Sequence, residues 1–267
     1  MPVLKIRTLF EKRAIVLEPD TVPEGTLLAR SSLVVADLHI GFEEKFKSSG
    51  INIETNVERM VKDLEGLIND YNIDSLIIAG DIKSGTDRIL QSEWENVPKF
   101  LNRLSKKCHV TIIPGNHDGG LQNLVPEQIQ VADINGITIG DTLVIHGHTR
   151  PLPKFSHCNR IIMGHVHPIY QKKGSPLSGM PVWLFVRVSR KAMFQEIISD
   201  EEDSLIEVIV IPSFNLDLIV SGYISEEIGT ERRLSPIVKE LKSAPEGMVV
   251  TLNAEVIGDS SLLTTVL

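Results

Sequence analysis

Cysteine is scarce in this chain of 267 residues: only Cys108 and Cys158 occur, far apart and outside any metal-type pairing. Small secreted scaffolds stapled by disulfides need a much denser set, so that class does not fit and a reducing compartment is expected. Positive charge is also in deficit, with 27 Lys plus Arg against 35 Asp plus Glu and a formal charge of −8. A broad surface for phosphate backbones needs an excess of Lys and Arg over one face, so general nucleic-acid binding is disfavoured and only a local basic groove remains open. No uncharged apolar run reaches the ~18 residues that cross a bilayer. The best stretch, 204–224, is broken by Glu207, Pro212 and Asp217. The opening Met1 to Arg7 lacks the long apolar core of a signal peptide. There is no internal repeat, low-complexity tract or long linker. A globular cytoplasmic protein without a membrane partner is expected, and its hydrophobic share of 42% is enough for a sizeable core.

What the chain does contain is a short apolar run that ends in polar, metal-capable residues, repeated five times. Leu33 to Ala36 runs into Asp37-Leu38-His39, and Leu76 to Ala79 into Gly80-Asp81. Val110 to Pro114 leads to Gly115-Asn116-His117-Asp118, Leu143 to Ile145 to His146-Gly147-His148, and Ile161 to Met163 to Gly164-His165-Val166-His167. Runs of this length, rich in Val and Ile, fit strands buried on both faces. Between the first two, Glu54 to Asp70 places Val57, Met60, Val61, Leu64, Leu67 and Ile68 at helical spacing, with Thr55 and Glu58 as a capping box. Between the next two, Ser92 and Glu95 are read as the cap of a helix carrying Trp94, Val97, Phe100, Leu101 and Leu104, with Pro98 kinking it or shifting its start.

Strand and helix alternating in this way predict parallel pairing, and ligands in such sheets sit beyond the carboxyl ends of the strands, where the polar clusters fall. Further on, Val182 to Val188 and Leu205 to Ile211 are predicted antiparallel strands of a second sheet, separated by the acidic turn Asp200 to Asp203. A short helix from Ser235-Pro236 to about Leu241 and edge strands at 248–252 and 254–257 complete the pattern. The expected architecture is α/β: a two-sheet β-sandwich flanked by helices, with βαβαβ units in the N-terminal half. A single domain over 1–267 is expected, with 226–267 as a C-terminal helix-strand extension.

A mixed set of Asp, Asn and His suits borderline transition metals, which accept imidazole as well as oxygen. Asp37 and His39 alternate along an extended segment and can face one ion together. Taken singly, Asp-x-His fits an ordinary loop and Gly-Asp an ordinary turn. The presence of such residues at all five strand ends is what argues for one shared centre. His148 competes with His146 as a ligand, with substrate contact or a supporting hydrogen bond as its other readings; His146 is preferred because it directly ends its strand.

The ordered blocks Asp37-x-His39, Gly80-Asp81, Gly115-Asn116-His117-Asp118, His146-Gly147 and Gly164-His165-x-His167 resemble the signature blocks of the calcineurin-like metallophosphoesterase superfamily. Ala36 to Gly41 and Gly80 to Lys83 are similar to the ICC-like branch, which includes ligase-associated DNA-repair phosphoesterases and archaeal relatives. The resemblance implies two divalent metal ions, with Mn²⁺ first and Fe, Zn, Ni or Co as substitutes. Asp37, His39 and His167 would hold one ion, Asn116, His146 and His165 the other, and Asp81 would bridge them. Two such ions clamp the attacking and leaving oxygens of an in-line displacement at phosphorus, and a hydroxide between them is the implied nucleophile. His117 is then the catalytic group that protonates the leaving oxygen, and Asp118 the group that orients its ring.

His109 and His157 are expected to be structural or exposed, Cys158 to be a buried inert thiol, and Met163 and Trp183 to be core. Lys83, Arg88, Lys154 and Arg160 flank the blocks; solvated surface is the plainer reading for each and phosphate contact the sharper one. Relatives acting on phosphoproteins continue the second block as Gly-Asp-x-x-Asp-Arg-Gly, whereas this chain reads Gly80-Asp81-Ile82-Lys83-Ser84-Gly85, which weakens a protein-phosphatase reading. The expected substrate is a phosphoester, most simply a diester of a nucleotide or nucleic acid. A repair nuclease, a phosphomonoesterase and a non-catalytic scaffold are the alternatives, and the sequence fixes no oligomeric state.

Overall fold

The computed structural model describes residues 4–19, 31–44, 50, 55–195, 203–220 and 235–267. The first sheet runs in the order β1 (Leu4–Leu9), β2 (Ala14–Pro19), β3 (Ser32–Val35), β4 (Ser75–Ala79), β5 (His109–Ile113) and β6 (Gln130–Val131). It is antiparallel from β1 to β3 and parallel from β3 to β6. Helices α1 (Val57–Asp70) and α2 (Gln91–Leu104) are the crossovers between its parallel strands.

The apolar runs are continuous because each strand is covered twice. Leu33, Val35, Leu76, Ile78, Val110 and Ile112 pack with Met60, Leu64, Phe100 and Leu101 of the helices. Their neighbours Val34, Ala36, Ile77, Ala79 and Ile113 point the other way, into a second core shared with the opposing sheet.

That opposing sheet contains β7 (Ile137–Ile139), β8 (Thr142–Ile145), β9 (Arg160–Met163), β10 (Val182–Ser189), β11 (Leu205–Val210), β12 (Glu246–Thr251) and β13 (Val256–Asp259), in the order β13-β12-β10-β11-β9-β8-β7. Strands β8, β9 and β11 are parallel, and the remaining pairs are antiparallel. Its outer face is covered by Met193 and Phe194 of α3 (Arg190–Phe194), Val238 and Leu241 of α5 (Val238–Lys242) and Leu263 and Val266 of α6 (Leu263–Val266). A further short helix, α4 (Asp217–Val220), follows β11. Trp183 is fully buried between the sheets, its ring edge-on to Phe10 at 5.8 Å and its indole N–H donating to the Phe10 carbonyl at 3.1 Å. Among the described residues no helix is long and apolar enough to cross a membrane.

The expected sandwich is present, and several local details differ from the sequence reading. Strands β1, β2, β6 and β7 are additions to it. Helix α1 begins at Val57 without the predicted capping box, because Asn56 stands at its cap and spends its amide on Asn215 Oδ1 at 2.5 Å, while Glu58 pairs with Arg103. Glu54 and the turn residues 200–202 lie outside the described residues. Helix α2 tolerates Pro98 in its interior and is capped by Glu93, not by Ser92 and Glu95. Trp94 lies 51% exposed, whereas Val97, Phe100 and Leu101 are buried as expected. The C-terminal helix is shorter than expected, and of the two predicted edge strands β13 lies at an edge whereas β12 lies inside the sheet. Truncating Trp183 to Ala removes the largest side chain between the sheets, and denaturant unfolding is expected to register a loss of about 3–5 kcal/mol.

Candidate metal centre

The loops after β3, β4 and β5 in one sheet meet those after β8 and β9 in the other. Two groups of donors result: Asp37, His39, Asp81 and His167, and Asp81, His146 and His165, with the donor atoms of each group within 4.8 Å of one another. Asp81 belongs to both. Asp37, Asp81 and His146 are completely enclosed, and His39, His165 and His167 are at most 4% exposed.

The backbone is bent sharply to bring these side chains inward. Asp37, His39, Asp81, His165 and His167 all adopt left-handed conformations, with φ of 60°, 43°, 52°, 69° and 39°. Such conformations cost about 1–3 kcal/mol per residue and persist where surrounding bonds over-determine them. Those bonds are present. The Asp37 carboxylate accepts the His165 N–H, while its carbonyl accepts Ser213 Oγ–H at 2.8 Å. Fully buried Asn215 donates its amide to the Leu38 carbonyl at 2.9 Å. The glycines of the blocks make room: a Cβ on Gly115 would stand 2.1 Å from Asp81 Oδ1, and one on Gly80 2.2 Å from His146 Nδ1.

Within the first group, Nε2 of His39 and Nε2 of His167 face each other at 3.4 Å, with His39 Nε2 3.6 Å from Asp81 Oδ2 and His167 Nε2 3.3 Å from Asp37 Oδ1. Two imidazole nitrogens bound tetrahedrally at about 2.1 Å to one ion would be separated by about 3.4 Å. In the second group His146 Nε2 lies 3.2 Å from Asp81 Oδ2 and 3.1 Å from Asn116 Oδ1. The Ala79 carbonyl faces His146 Nδ1 at 2.9 Å. A carbonyl only accepts, so Nδ1 carries a proton and Nε2 is turned to the cluster. Among the described residues, Asp81 Oδ2 and both ring nitrogens of His165 are buried without hydrogen-bond partners. Orphaned buried donors and acceptors of this kind are costly unless something else satisfies them. The cluster therefore fits a dinuclear metal site.

The electrostatics agree. Burial alone would lower the His146 pKa, but the Asp81 and Asp37 carboxylates override it and push it up to about 10. Burial opposes the charge on Asp81, yet His146, His117 and His39 hold its pKa well below the carboxylate range. Desolvation, reinforced by His146, takes His165 down to about 2, so it stays a neutral donor. The pocket draws positive charge to Asp81 while keeping His165 ready as a lone-pair ligand.

Seven expected metal residues, Asp37, His39, Asp81, Asn116, His146, His165 and His167, are thus brought together, with Asn116 on the exposed side. His117 lies beside them, its Nε2 3.9 Å from Asp81 Oδ2 and its ring 4.9 Å from that of His39. His148 stands at the margin, half-buried, its ring 5.2 Å from His146; burial and the His146 charge lower its pKa to about 4.

Asp118 does not orient His117. Its carboxylate accepts the backbone N–H groups of Asp81, Ile82 and Gly115 at 2.9, 3.0 and 2.7 Å, and that of Lys83 at 3.3 Å, stitching the second block to the third. Burial and the Asp81 charge push its pKa up to about 6. The His117 ring is held instead by the Ser84 carbonyl, 2.7 Å from Nδ1. Lys83 is no surface residue: it is completely buried, its ammonium turned onto the Gly85 carbonyl. Arg160 pairs with Glu207, whereas Arg88 and Lys154 are exposed. His109 and His157 are exposed, Cys158 is a buried free thiol, and Met163 is core, as expected. Glu93, Ser213 and Asn215 carry supporting roles that sequence reasoning missed, since each acts through backbone atoms and leaves no spacing motif.

Two outcomes follow from this geometry. Asp118→Ala strips the acceptor from four buried N–H groups and is expected to cost more than ~3 kcal/mol in urea unfolding. Adding a divalent transition metal to chelator-treated protein is expected to raise its melting temperature, because ligands that bind only the folded state stabilise it. In Asp81→Asn that rise should largely vanish, as read by thermal melts alongside elemental analysis.

A family model for calcineurin-like phosphoesterases matches residues 31–222. Among solved structures, the nuclease MPE of Pseudomonas putida is similar at 23% identity, covering 80% of this chain and 86% of that one with a TM-score of 0.48. YfcE, a phosphoesterase from E. coli, is similar at 13% identity over 85% of this chain and 97% of that one, with a TM-score of 0.38. A comparison with curated proteins finds no match. With all five blocks gathered in one buried cluster inside the matched span, the chain belongs to the calcineurin-like phosphoesterase family, a family of metal-dependent hydrolases.

Proposed function

We propose that this protein is a two-metal phosphodiesterase acting on nucleotide or nucleic-acid esters. The observation that carries the reading is the pair of buried donor groups sharing Asp81, with His117 beside them. Asp37, His39, Asp81 and His167 would hold one cation and Asp81, Asn116, His146 and His165 the other, with Mn²⁺ the metal of choice for this mix of oxygen and imidazole donors and Fe, Zn, Ni or Co as substitutes. When bound, such a pair supplies Lewis acidity at the phosphoryl oxygens and lowers the pKa of water.

The protein's own groups provide the rest. Asp81, which belongs to both donor groups, would offset the repulsion between two cations. The Ala79 carbonyl holds the Nδ1–H of His146, and the Ser84 carbonyl holds that of His117. With Nδ1–H committed to that carbonyl, His117 turns Nε2 towards the cluster, where the doubly protonated ring can give its Nε2 proton to the departing oxygen.

A diester is favoured over a monoester by where the neighbouring cations are spent. Among the described residues, Lys83 bonds the Gly85 carbonyl, and Arg150 bonds the Ala192 and Pro236 carbonyls and Glu240. A dianionic monoester would call for such charges, whereas a monoanionic diester needs fewer.

With Mn²⁺ supplied, the wild-type protein is expected to turn over bis-p-nitrophenyl phosphate faster than p-nitrophenyl phosphate. Asp81→Asn should lower kcat on both esters by about 10²–10⁴-fold, and His117→Ala should do so on diphenyl phosphate, whose leaving group needs a proton, and less on bis-p-nitrophenyl phosphate. No turnover of either ester, or undiminished turnover in both variants, rejects the reading. Binding to DNA or RNA that weakens steeply with added salt would move the substrate towards nucleic acid.

A further inference from the structure

Glu93 is completely buried at the third position of α2, and its carboxylate is ringed by backbone donors. Oε1 accepts the N–H groups of Ser84 and Gly85 at 2.8 and 2.6 Å, and Oε2 accepts that of Leu90 at 2.7 Å. These bonds and the helix N-terminus offset the cost of burying the charge. The side chain is also gripped from the first block, since a Cβ on Gly41 would lie 2.8 Å from Glu93 Cγ. The loop it closes is tight, and a Cβ on Gly85 would stand 2.5 Å from the Arg88 carbonyl oxygen.

The Gly85 N–H belongs to the same peptide group as the Ser84 carbonyl. That peptide is trans, so its N–H and C=O point in opposite directions. Glu93 therefore holds one end of a rigid plane, and the other end meets His117 Nδ1 at 2.7 Å. A negative charge on the N–H side polarises the amide and makes its oxygen a stronger acceptor. The neighbouring acid does not compete for this role, because the Asp118 carboxylate is occupied by four backbone N–H groups.

We propose that Glu93 is the positioning residue for His117, acting through the Ser84–Gly85 peptide as a directly bonded carboxylate does for other catalytic histidines. It holds the Nδ1–H and the ring plane so that Nε2 faces the reacting oxygens. The inference rests on the proposed role of His117 at the leaving group.

Glu93→Gln keeps the size of the side chain and removes its charge. In the metal-loaded enzyme it is expected to lower kcat about tenfold on diphenyl phosphate, whose leaving group needs a proton, and far less on bis-p-nitrophenyl phosphate. KM and metal content should be unchanged, and the substitution should cost nothing further in His117→Ala, because both act in one unit. Equal losses on the two esters, or the same loss with and without His117, would overturn the inference as a general effect on the loop.

A second readout needs no turnover. In metal-free protein the Nδ1–H proton of His117 should give a downfield NMR signal, protected from exchange, absent in His117→Ala and shifted upfield in Glu93→Gln. Absence of the signal from the wild type, or an unmoved signal in Glu93→Gln, also overturns it. Should Glu93→Gln fail to fold, Glu93→Asp, one methylene too short to reach all three N–H groups, takes its place with the same expected outcomes. A wild-type protein inactive on every ester rejects the functional reading alone, since the NMR arm still decides this one.

Discussion

The Asp81 carboxylate carries its charge where no solvent reaches it, and much of the site is arranged to make that charge tolerable. One oxygen takes the His117 N–H at 3.0 Å; the other faces Nε2 of His39 and of His146 and is given no hydrogen bond. An anion left in this state demands cations, and imidazole meets only part of that demand: the carboxylates raise His146, while burial keeps His165 neutral. The same demand explains the glycines at the strand ends, which let backbone and imidazole approach, and the left-handed turns that aim the ligands.

Support for this arrangement comes largely from carboxylates and amides that bond backbone instead of metal. Asp118 ties the second block to the third, Glu93 ties the loop after the second block to α2, and Asn215 ties the first block to the segment following β11. Each is buried and each satisfies several donors or acceptors at once, so the strain at the ligands is held by bonds outside the cluster. The division of labour is clear in adjacent residues: His117 faces the cluster, while Asp118 turns back into its own loop.

The five blocks were legible because each pairs an apolar strand with polar residues at its carboxyl end, a contrast that survives in one dimension. Both helices between them were legible for the same reason, since their apolar faces repeat at helical spacing. Caps were harder to read. Thr55 with Glu58 and Ser92 with Glu95 have suitable spacing, yet tertiary partners claim Asn56 and Glu58, and Glu93 takes the second cap. Lys83 looked like a surface cation because Lys nearly always is one; only the fold encloses it. Asp118 was assigned to His117 by adjacency, but neighbours in a turn point apart. The edge strands β1 and β6 are short or partly exposed and give a weaker apolar signal than the central ones.

The cluster draws Asp37, His39, Asp81 and Asn116 from the first sheet and His146, His165 and His167 from the second, so it straddles the sandwich. Neither half of the chain holds a complete set of donors for either ion. Tight metal capture can then begin only after the sheets have docked, which makes occupancy a report on the finished tertiary structure and not on secondary structure alone. During synthesis, the first four donors emerge well before their partners, and the nascent chain is spared from locking an ion into a half-built site.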